Sequence, residues 1–362
     1  MSKIVISGYY GFANAGDEAM LTSIVRALRE TEPSAEIAVI SGNPKETAVK
    51  HQVNSIYRFN FWGIYQTLAR ADLLLSGGGS LLQDVTSLRS LLYYLTVIML
   101  GKFAGCKVML YSHGIGPIRN RLARKLTGYV CAQTDVITVR DADSCNELVA
   151  LGVPQAKIEL TADAVLSLPL PDVNIGRSIL ERTGVDCDKE IIGISVRKWE
   201  NDEACFKALA AAVQVLMSDD TIQIVLLPLQ YPIDIKSCER LQQFLPDSKD
   251  VFLLQEPFST EEFLSVVGNF DLLIGMRLHA LVFAALMHVP VLAVSYDPKV
   301  DAFVKAIGGA LAGTVEGLNT EELLLKAGDL LSKPPLWQNA HVDGMRKQAH
   351  DNVVKAFGLL QK

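Results

Sequence analysis

The sequence predicts an α/β protein with two Rossmann-like domains whose parallel sheets face a cleft. Short aliphatic runs alternate with helix-length segments along the whole chain, which is typical of repeated βαβ units. The strand candidates are almost continuously apolar, as expected of parallel sheets that are buried on both faces. A chain of 362 residues is too long for one ordinary core, and this favours two domains.

The order of the elements follows from these runs. The strand candidates of the first half are residues 3–7, 36–41, 72–76, 107–112, 135–139 and 158–161. Those of the second half are residues 191–196, 222–227, 251–254, 271–275 and 290–295. Helices are predicted between them, including residues 18–30, 142–151, 202–217, 260–268 and 278–287.

A Pro- and Asp-rich stretch at residues 168–174 has no periodicity, so we expect the domain linker there. The predicted domains are residues 1–170 and 171–335, followed by a final helix at 336–362 that packs back on the first domain. We expect the ligand at the carboxyl ends of the strands, in the cleft between the domains.

Composition excludes several classes of protein. The formal net charge of −6 argues against a nucleic-acid partner, because no basic excess is available to neutralise phosphates. The six cysteines show no Cys-x-x-Cys spacing and are expected to be reduced, mostly buried thiols of a cytoplasmic protein. The first strand begins directly after the N-terminus, which argues against a secretory signal. No metal is expected, because metal-ligand types do not cluster.

The longest uncharged apolar run, Ser90 to Leu100, is roughly half the ~20 residues needed to span a bilayer. A buried helix is the first interpretation. The alternative is a helix that touches the membrane surface, with Arg89 and Lys102 at its ends.

The glycine-spaced loop after the first strand is the most specific motif. Its residues Gly8, Gly11, Asn14, Gly16 and Asp17 are predicted to hold a ligand, because backbone amides and a helix N-terminus converge there. Neither Gly-x-Gly-x-x-Gly nor Gly-Lys-Ser/Thr is present. The alternative is a tight turn in which Asn14 or Asp17 caps the first helix.

A second glycine turn, Gly77 to Ser80, follows another strand. Gly78, Gly79 and Ser80 are predicted to face an anion or a sugar, with Ser80 at the start of a helix. Close packing of the first domain's own loops is the alternative.

Two further strand ends carry polar side chains. His113 is expected to line the cleft or to be a satisfied structural histidine. Asp141 is predicted to be the N-cap of the helix that follows. Arg140 is expected to pair with Asp141 or Asp143, or else to face an anion.

The second domain carries the stronger chemistry. Arg197 follows its first strand and is suited to grip a carboxylate or phosphate. Arg277 and His279 lie between a strand and an apolar helix, where polar groups need partners, and they are the catalytic candidates; structural pairing is the alternative. Lys299 follows the next strand as a phosphate contact or a surface lysine.

The ordered combination of these motifs resembles the polysaccharide pyruvyltransferase family, most closely its bacterial cell-surface-anchoring branch. The motifs are the Gly8–Glu18 loop, Gly77–Ser80, Gly114–Pro117, Val139–Asp141, Ile194–Arg197 and Arg277–His279. The chain departs from the pattern at His113, where many members carry glutamine.

The resemblance implies a fold like that of the two-domain B-type glycosyltransferases. It also implies a phosphoenolpyruvate donor and a pyruvate ketal formed across O4 and O6 of N-acetylmannosamine. The implied acceptor is a lipid-linked disaccharide precursor of a secondary cell-wall polymer, modified in the cytoplasm with transient contact with the membrane. No cofactor is implied. In this scheme His279 is the general acid/base, Arg277 neutralises the leaving phosphate, and Asp17 or Glu18 acts on the acceptor hydroxyls.

Two rivals remain open. A nucleotide-sugar glycosyltransferase would use a glutamate of the second domain to bind the donor ribose. Glu256, Glu261 and Glu262 lie after a strand and could be mistaken for that residue. A non-catalytic sugar- or anion-binding protein is the second rival.

Overall fold

The computed structural model describes residues 1–85, 87–200, 202–333 and 335–361. The chain forms two compact α/β units: Met1–Leu168 together with Met345–Lys362, and Pro169–Gly344. Both units are built around parallel strands, which confirms the predicted fold class.

The sheet of the first unit is parallel throughout. Its strands are β1 (Lys3–Ser7), β2 (Glu36–Ser41), β3 (Asn54–Tyr57), β4 (Leu73–Ser76), β5 (Gly79–Leu82), β6 (Lys107–Ile115), β7 (Val136–Val139) and β8 (Ile158–Leu160). They are ordered β3-β2-β1-β4-β6-β7-β8, and β5 pairs with β6. The helices are α1 (Ala15–Thr31), α2 (Pro44–His51), α3 (Phe61–Leu68), α4 (Leu88–Ala104), α5 (Arg121–Gln133) and α6 (Ala142–Ala150).

The second unit repeats this plan. Its strands are β9 (Glu190–Ser195), β10 (Ile222–Leu226), β11 (Val251–Leu253), β12 (Leu272–Gly275), β13 (Val291–Ser295) and β14 (Ala310–Thr314), in the order β11-β10-β9-β12-β13-β14. Its helices are α7 (Val173–Thr183), α8 (Glu203–Leu216), α9 (Ile233–Gln242), α10 (Thr260–Val267), α11 (Leu278–Leu286), α12 (Pro298–Ile307) and α13 (Thr320–Ser332).

The last helix, α14 (Leu336–Leu360), ends on the first unit. The fully buried Asn352 accepts a hydrogen bond from the Thr161 hydroxyl at 2.9 Å and donates to the Ala162 carbonyl at 3.3 Å. Lys355 forms an ion pair with Glu159. The final turns are therefore anchored beside the carboxyl end of β8.

The predicted strands form within one to three residues of their expected bounds, because long apolar runs specify buried strands well. The sequence analysis missed β3, β5 and β14. Each of these strands is short or includes glycine or polar residues, so none has a continuous apolar run.

The six cysteines are all free thiols, and Cys106, Cys131, Cys205 and Cys238 are buried. Most of these thiols are therefore buried, as expected. Burial raises the pKa of the Cys106 thiol to about 11 and that of Cys131 to about 12, so both stay protonated and unreactive near neutrality.

Substitution of two helical glycines in the second unit is expected to have opposite effects on the stability of the fold. A Cβ on Gly176 of α7 would lie 2.2 Å from the Ser265 carbonyl carbon of α10, so alanine must push these helices apart. Gly328 of α13 has open space. We expect Gly176→Ala to destabilise the fold by about 1–3 kcal/mol. Gly328→Ala should stabilise it by roughly 0.5–1 kcal/mol. Urea unfolding measures both changes in the free energy of unfolding. Changes of the same sign in the two variants would contradict the close packing of α7 on α10.

Candidate functional site

The loop after β1 packs around a buried tyrosine. Tyr10 is almost fully buried, and its ring occupies the space in which Gly8 and Gly77 would carry a side chain. A Cβ on Gly8 would lie 2.3 Å from the ring, and one on Gly77 would lie 2.2 Å from the hydroxyl oxygen. Burial raises the pKa of Tyr10 well above its usual value. Gly8 thus has a packing role that joins the two glycine turns of this unit.

A buried carboxylate anchors the same loop. Gly11, at φ +78°, donates its N–H to Glu18 at 2.9 Å, and His51 Nε2 lies 3.0 Å from the other carboxylate oxygen. Lys50 lies 3.6 Å from that second oxygen. Burial acts to raise the pKa of Glu18, but the His51 hydrogen bond, the Lys50 charge and the Gly11 amide together lower it. Glu18 therefore positions the loop as an ionised group.

Asn14 is the N-cap of α1, as one alternative predicted. Its side-chain oxygen accepts from the amides of Gly16 at 3.0 Å and Asp17 at 3.3 Å. Gly16 is buried in the first turn, and Asp17 is half-buried. A Cβ on Gly79 would lie 3.6 Å from an Asp17 carboxylate oxygen. The structure thus brings Asp17 to the second glycine turn.

That second turn corrects one prediction. Gly79 to Leu82 is strand β5, paired with β6, and the next helix begins only at Leu88. The prediction that Ser80 lies at a helix start is therefore wrong, because Leu81 and Leu82 belong to a strand and are buried beside β6. The Ser80 hydroxyl instead accepts a hydrogen bond from Arg140 at 3.0 Å, while Gly78 is buried against Met20.

Arg140 forms a buried ion pair. Its Nη1 donates to Asp163 at 2.9 Å, and its Nε lies 3.7 Å from Asp141. Pairing with Asp141 was expected, whereas the stronger partner, Asp163, was missed. Asp163 lies 23 residues further along the chain, and only the adjacency of β7 and β8 brings it near. Asp141 also caps α6, as predicted.

His113 is fully buried, and its Nε2 lies 3.1 Å from the Ser76 carbonyl oxygen. The bond requires the Nε2–H tautomer. The pKa of His113 is lowered to about 4, mainly by burial and in part by the nearby Arg140 charge, while the bond to Ser76 opposes both. His113 is therefore a neutral structural residue near neutrality.

In the second unit, the predicted site residues follow three neighbouring strands, which in sheet order are β9, β12 and β13. Arg277, the N-cap residue of α11, donates from Nε to Asp234 at 2.8 Å and from Nη2 to Gln230 at 3.1 Å. Its Nη2 also pairs with Asp234, which is fully buried. Arg277 is thus held by a buried carboxylate that the sequence analysis did not single out.

Arg197 has a different environment. Its guanidinium lies 4.6 Å from the Tyr296 ring centroid and 5.6 Å from that of Trp199, and Nη1 donates to the Tyr296 hydroxyl at 2.9 Å. The buried Nε has no hydrogen-bond partner, and no carboxylate pairs with Arg197 in the described part of the chain. Two aromatic rings therefore position a guanidinium whose charge is not balanced by an acid.

The remaining predicted residues flank this group. Lys299, in the first turn of α12, lies 5.5 Å from the Tyr296 ring centroid and 3.1 Å from Asp297. His279, the second residue of α11, is half-buried. Tyr296 therefore contacts both Arg197, which follows β9, and Lys299 of α12. Tyr296 and Trp199 could have been identified from the sequence, because both follow shortly after buried strands.

No group of three or more histidine, cysteine or acidic side chains is arranged to hold a metal ion within residues 1–85, 87–200, 202–333 and 335–361. The site's charged groups are instead arginine and lysine held by rings and carboxylates.

Solved structures define the fold class of the chain as two Rossmann-like domains of the B-type glycosyltransferase kind. The UDP-GlcNAc 2-epimerase from Methanocaldococcus jannaschii is 16% identical, with a TM-score of 0.72 and 99% of each chain covered. S. aureus MnaA, solved as a co-structure with UDP, is 16% identical, with a TM-score of 0.71 over 98% of this chain and 95% of that chain. The epimerase from Neisseria meningitidis, bound to UDP-GlcNAc, is 14% identical, with a TM-score of 0.66 and 100% of both chains covered.

The family assignment is narrower. Residues 14–298 match the family model described as polysaccharide pyruvyl transferase, and the chain belongs to that family. The protein is therefore a transferase, and the resemblance of its motifs to this family is confirmed.

The buried His113 predicts a pH-dependent stability. Its folded pKa of about 4 lies below the usual 6.5, so the unfolded chain binds the proton first and stability is lost as pH falls through that window. Between about pH 7 and about pH 5, we expect the unfolding free energy of His113→Gln to fall by about 2 kcal/mol less than that of wild type. Urea unfolding at both pH values measures this, with the exposed His350→Gln as control. Equal falls in wild type and His113→Gln would contradict the assignment.

Proposed function

We propose that the protein transfers pyruvate from phosphoenolpyruvate to a sugar, forming a 4,6-ketal on N-acetylmannosamine of a lipid-linked secondary cell-wall precursor. Family membership supports pyruvyl transfer. The observation that carries the donor assignment is Arg197, whose guanidinium is positioned by Tyr296 and Trp199 without a balancing carboxylate. Such a group suits a small polyanion, because arginine donates two parallel hydrogen bonds to carboxylate or phosphate.

The reaction needs one proton delivered and two hydroxyl protons removed. Protonation of the phosphoenolpyruvate methylene carbon leaves cationic character at C2, and the first sugar hydroxyl attacks there. Phosphate then leaves with the electrons of its C2–O bond, and the second hydroxyl closes the ketal ring. One hydroxyl proton balances the new methyl group, and the other leaves with phosphate. Group placement and proton transfer supply the catalysis, and the proposal includes no cofactor or metal.

In the second unit we assign donor binding to Arg197 and Lys299, and proton transfer to His279. These residues follow β9, β13 and β12, which are adjacent strands of one sheet. Arg277 is bound by the buried Asp234, so most of its charge is already balanced. We therefore assign Arg277 to the orientation of the β12–α11 turn, and through it of His279, besides any contact with the departing phosphate.

In the first unit we assign acceptor binding to the loop Gly8–Asp17 and to the turn Gly78–Ser80. Asp17 lies next to Gly79 and is the candidate for accepting a proton from an acceptor hydroxyl. Glu18 is held by His51 and Gly11, and this leaves it a positioning role.

The second candidate is a nucleotide-sugar enzyme. It is favoured by the solved structures of similar fold that were determined with UDP or UDP-GlcNAc bound. Among the acids proposed to grip a ribose, Glu262 already completes the capping box of α10 with Ser259. Thermal stabilisation by phosphoenolpyruvate rather than by a uridine nucleotide would separate the two candidates.

Product analysis tests the reaction directly. The protein is incubated with phosphoenolpyruvate and a synthetic lipid-linked disaccharide that contains N-acetylmannosamine. We expect the acceptor to gain one pyruvate ketal, with one phosphate released per ketal formed. An acceptor of unchanged mass in the presence of both substrates would contradict the proposal.

Kinetic constants separate the two assigned roles. We expect His279→Gln to lower kcat by roughly a hundredfold or more, with little change in KM for phosphoenolpyruvate. Arg197→Met should raise that KM by roughly 10- to 100-fold, because it removes hydrogen bonds to a charged ligand. Arg182→Met, an exposed cation of α7, is the control and should change neither constant. Near wild-type turnover in His279→Gln would overturn the proton-transfer role.

A further inference from the structure

Three helices form one outer layer of the first unit. α3 packs against α4, and α4 packs against α5. The chain passes through these helices as it crosses from β3 to β4, from β5 to β6 and from β6 to β7. These connections run in one direction across the sheet, so right-handed crossovers place all three helices on the same face.

The solvent side of α4 is unusually apolar. Leu91, Tyr94, Leu95 and Ile98 are buried toward the sheet, as expected for its inner side. The outer side carries Leu88, Leu92, Thr96, Met99 and Phe103, which recur every three or four residues and so share one stripe. Phe103 is 75% exposed. A helix that is apolar all round is normally buried on all sides, and this helix is not.

The neighbouring helices continue the apolar surface. On α5, Leu122 is 78% exposed, and Leu126 and Tyr129 follow it along the same stripe. On α3, Phe61 and Trp62 are exposed, and Trp62 reaches 68%. We call these side chains the apolar face: Phe61, Trp62, Leu88, Leu92, Phe103, Leu122, Leu126 and Tyr129.

Basic residues outnumber acidic ones around the apolar face, where Asp135 pairs with Lys102 of α4 and Glu147 pairs with Arg124 of α5. Residues 58–133 hold nine lysines and arginines but only Asp72 and Asp84, a net charge of +7 in a chain whose total is −6. None of the three helices contains an acidic residue. The Asp84 carboxylate accepts hydrogen bonds from the backbone N–H groups of Arg119 and Asn120. Arg89, Arg121 and Lys125 are exposed, and no carboxylate pairs with them in the described part of the chain.

We propose that the apolar face binds the surface of an anionic lipid bilayer, with α3, α4 and α5 lying flat against it. Exposed aromatic and leucine side chains would enter the boundary between headgroups and acyl chains, and Arg89, Arg121 and Lys125 would contact the anionic headgroups. No described helix is long and apolar enough to cross a membrane, so the contact is peripheral.

Charge complementarity selects the bilayer over a second copy of the chain. In a twofold dimer the same surface meets itself. Because α4 and α5 carry arginine and lysine and none of the three helices carries an acid, such a dimer would bring like charges together around its apolar centre. A bilayer of anionic lipids instead offers both an apolar interior and negative headgroups to one surface.

The inference concerns a surface outside the proposed catalytic residues and does not depend on the proposed reaction. If the acceptor is lipid-linked, the same contact would hold the first unit where that acceptor resides. This last point rests on the proposed function, and the binding measurement below requires neither phosphoenolpyruvate nor acceptor.

Vesicle sedimentation tests the inference with the full chain. Vesicles of phosphatidylglycerol with phosphatidylcholine are compared with vesicles of phosphatidylcholine alone. We expect binding to the anionic vesicles that weakens with salt. The triple variant Trp62→Gln, Leu92→Gln, Leu122→Gln should bind at least about tenfold more weakly, because each side chain loses its apolar burial. Arg121→Glu with Lys125→Glu should also weaken binding by roughly tenfold or more at low salt.

Matched controls change exposed apolar residues elsewhere. Leu325→Gln of α13 and Val354→Gln of α14 should bind like wild type. Thermal unfolding confirms that each variant is folded. Failure of the wild type to bind anionic vesicles would overturn the proposal, as would equal loss in the control variants. Concentration-dependent dimerisation that the triple variant abolishes, without vesicle binding, would assign the face to a second copy instead.

Discussion

Strands that are buried on both faces exclude charge along their length, and this constraint decides where the chemistry of the protein lies. Apart from Lys3 and Glu190, the exposed first residues of β1 and β9, the strands β1, β4, β9, β12 and β13 contain only aliphatic residues, small residues and serine. Charged side chains therefore lie at the ends of these strands. Parallel strands end at one edge of their sheet. Residues far apart in the chain therefore meet in each unit, as Arg140 meets Asp163 and Arg277 meets Asp234.

Most of the charges gathered in this way hold the loops. Asp234, Asp163 and Glu18 are buried carboxylates, and each is matched by a cation or a histidine. Removing one partner of such a pair leaves a buried charge unpaired, which costs about 3–5 kcal/mol. Arg197 differs because aromatic rings, rather than a carboxylate, position it. It is therefore the cation best suited to an external anion.

The net charge of −6 conceals a strongly uneven distribution. The segment from Arg58 to Gln133 is basic, and its three helices turn apolar side chains outward. Composition alone excludes a general phosphate-binding surface, but it averages over this segment. A chain with a negative net charge thus presents a cationic and apolar surface on the unit assigned to the acceptor.

The sequence by itself determined the α/β class, most strands and the family, because apolar runs and ordered motifs are local patterns. It also identified Asn14 and Asp141 as helix caps and Arg197 as a strand-end cation. Only the tertiary structure revealed that Tyr10 fills the space beside Gly8 and Gly77, that Asp234 binds Arg277, and that Ser80 lies in a strand. These contacts join residues from different strand ends. Their pairing depends on strand order, crossover direction and packing, which no short stretch of sequence specifies.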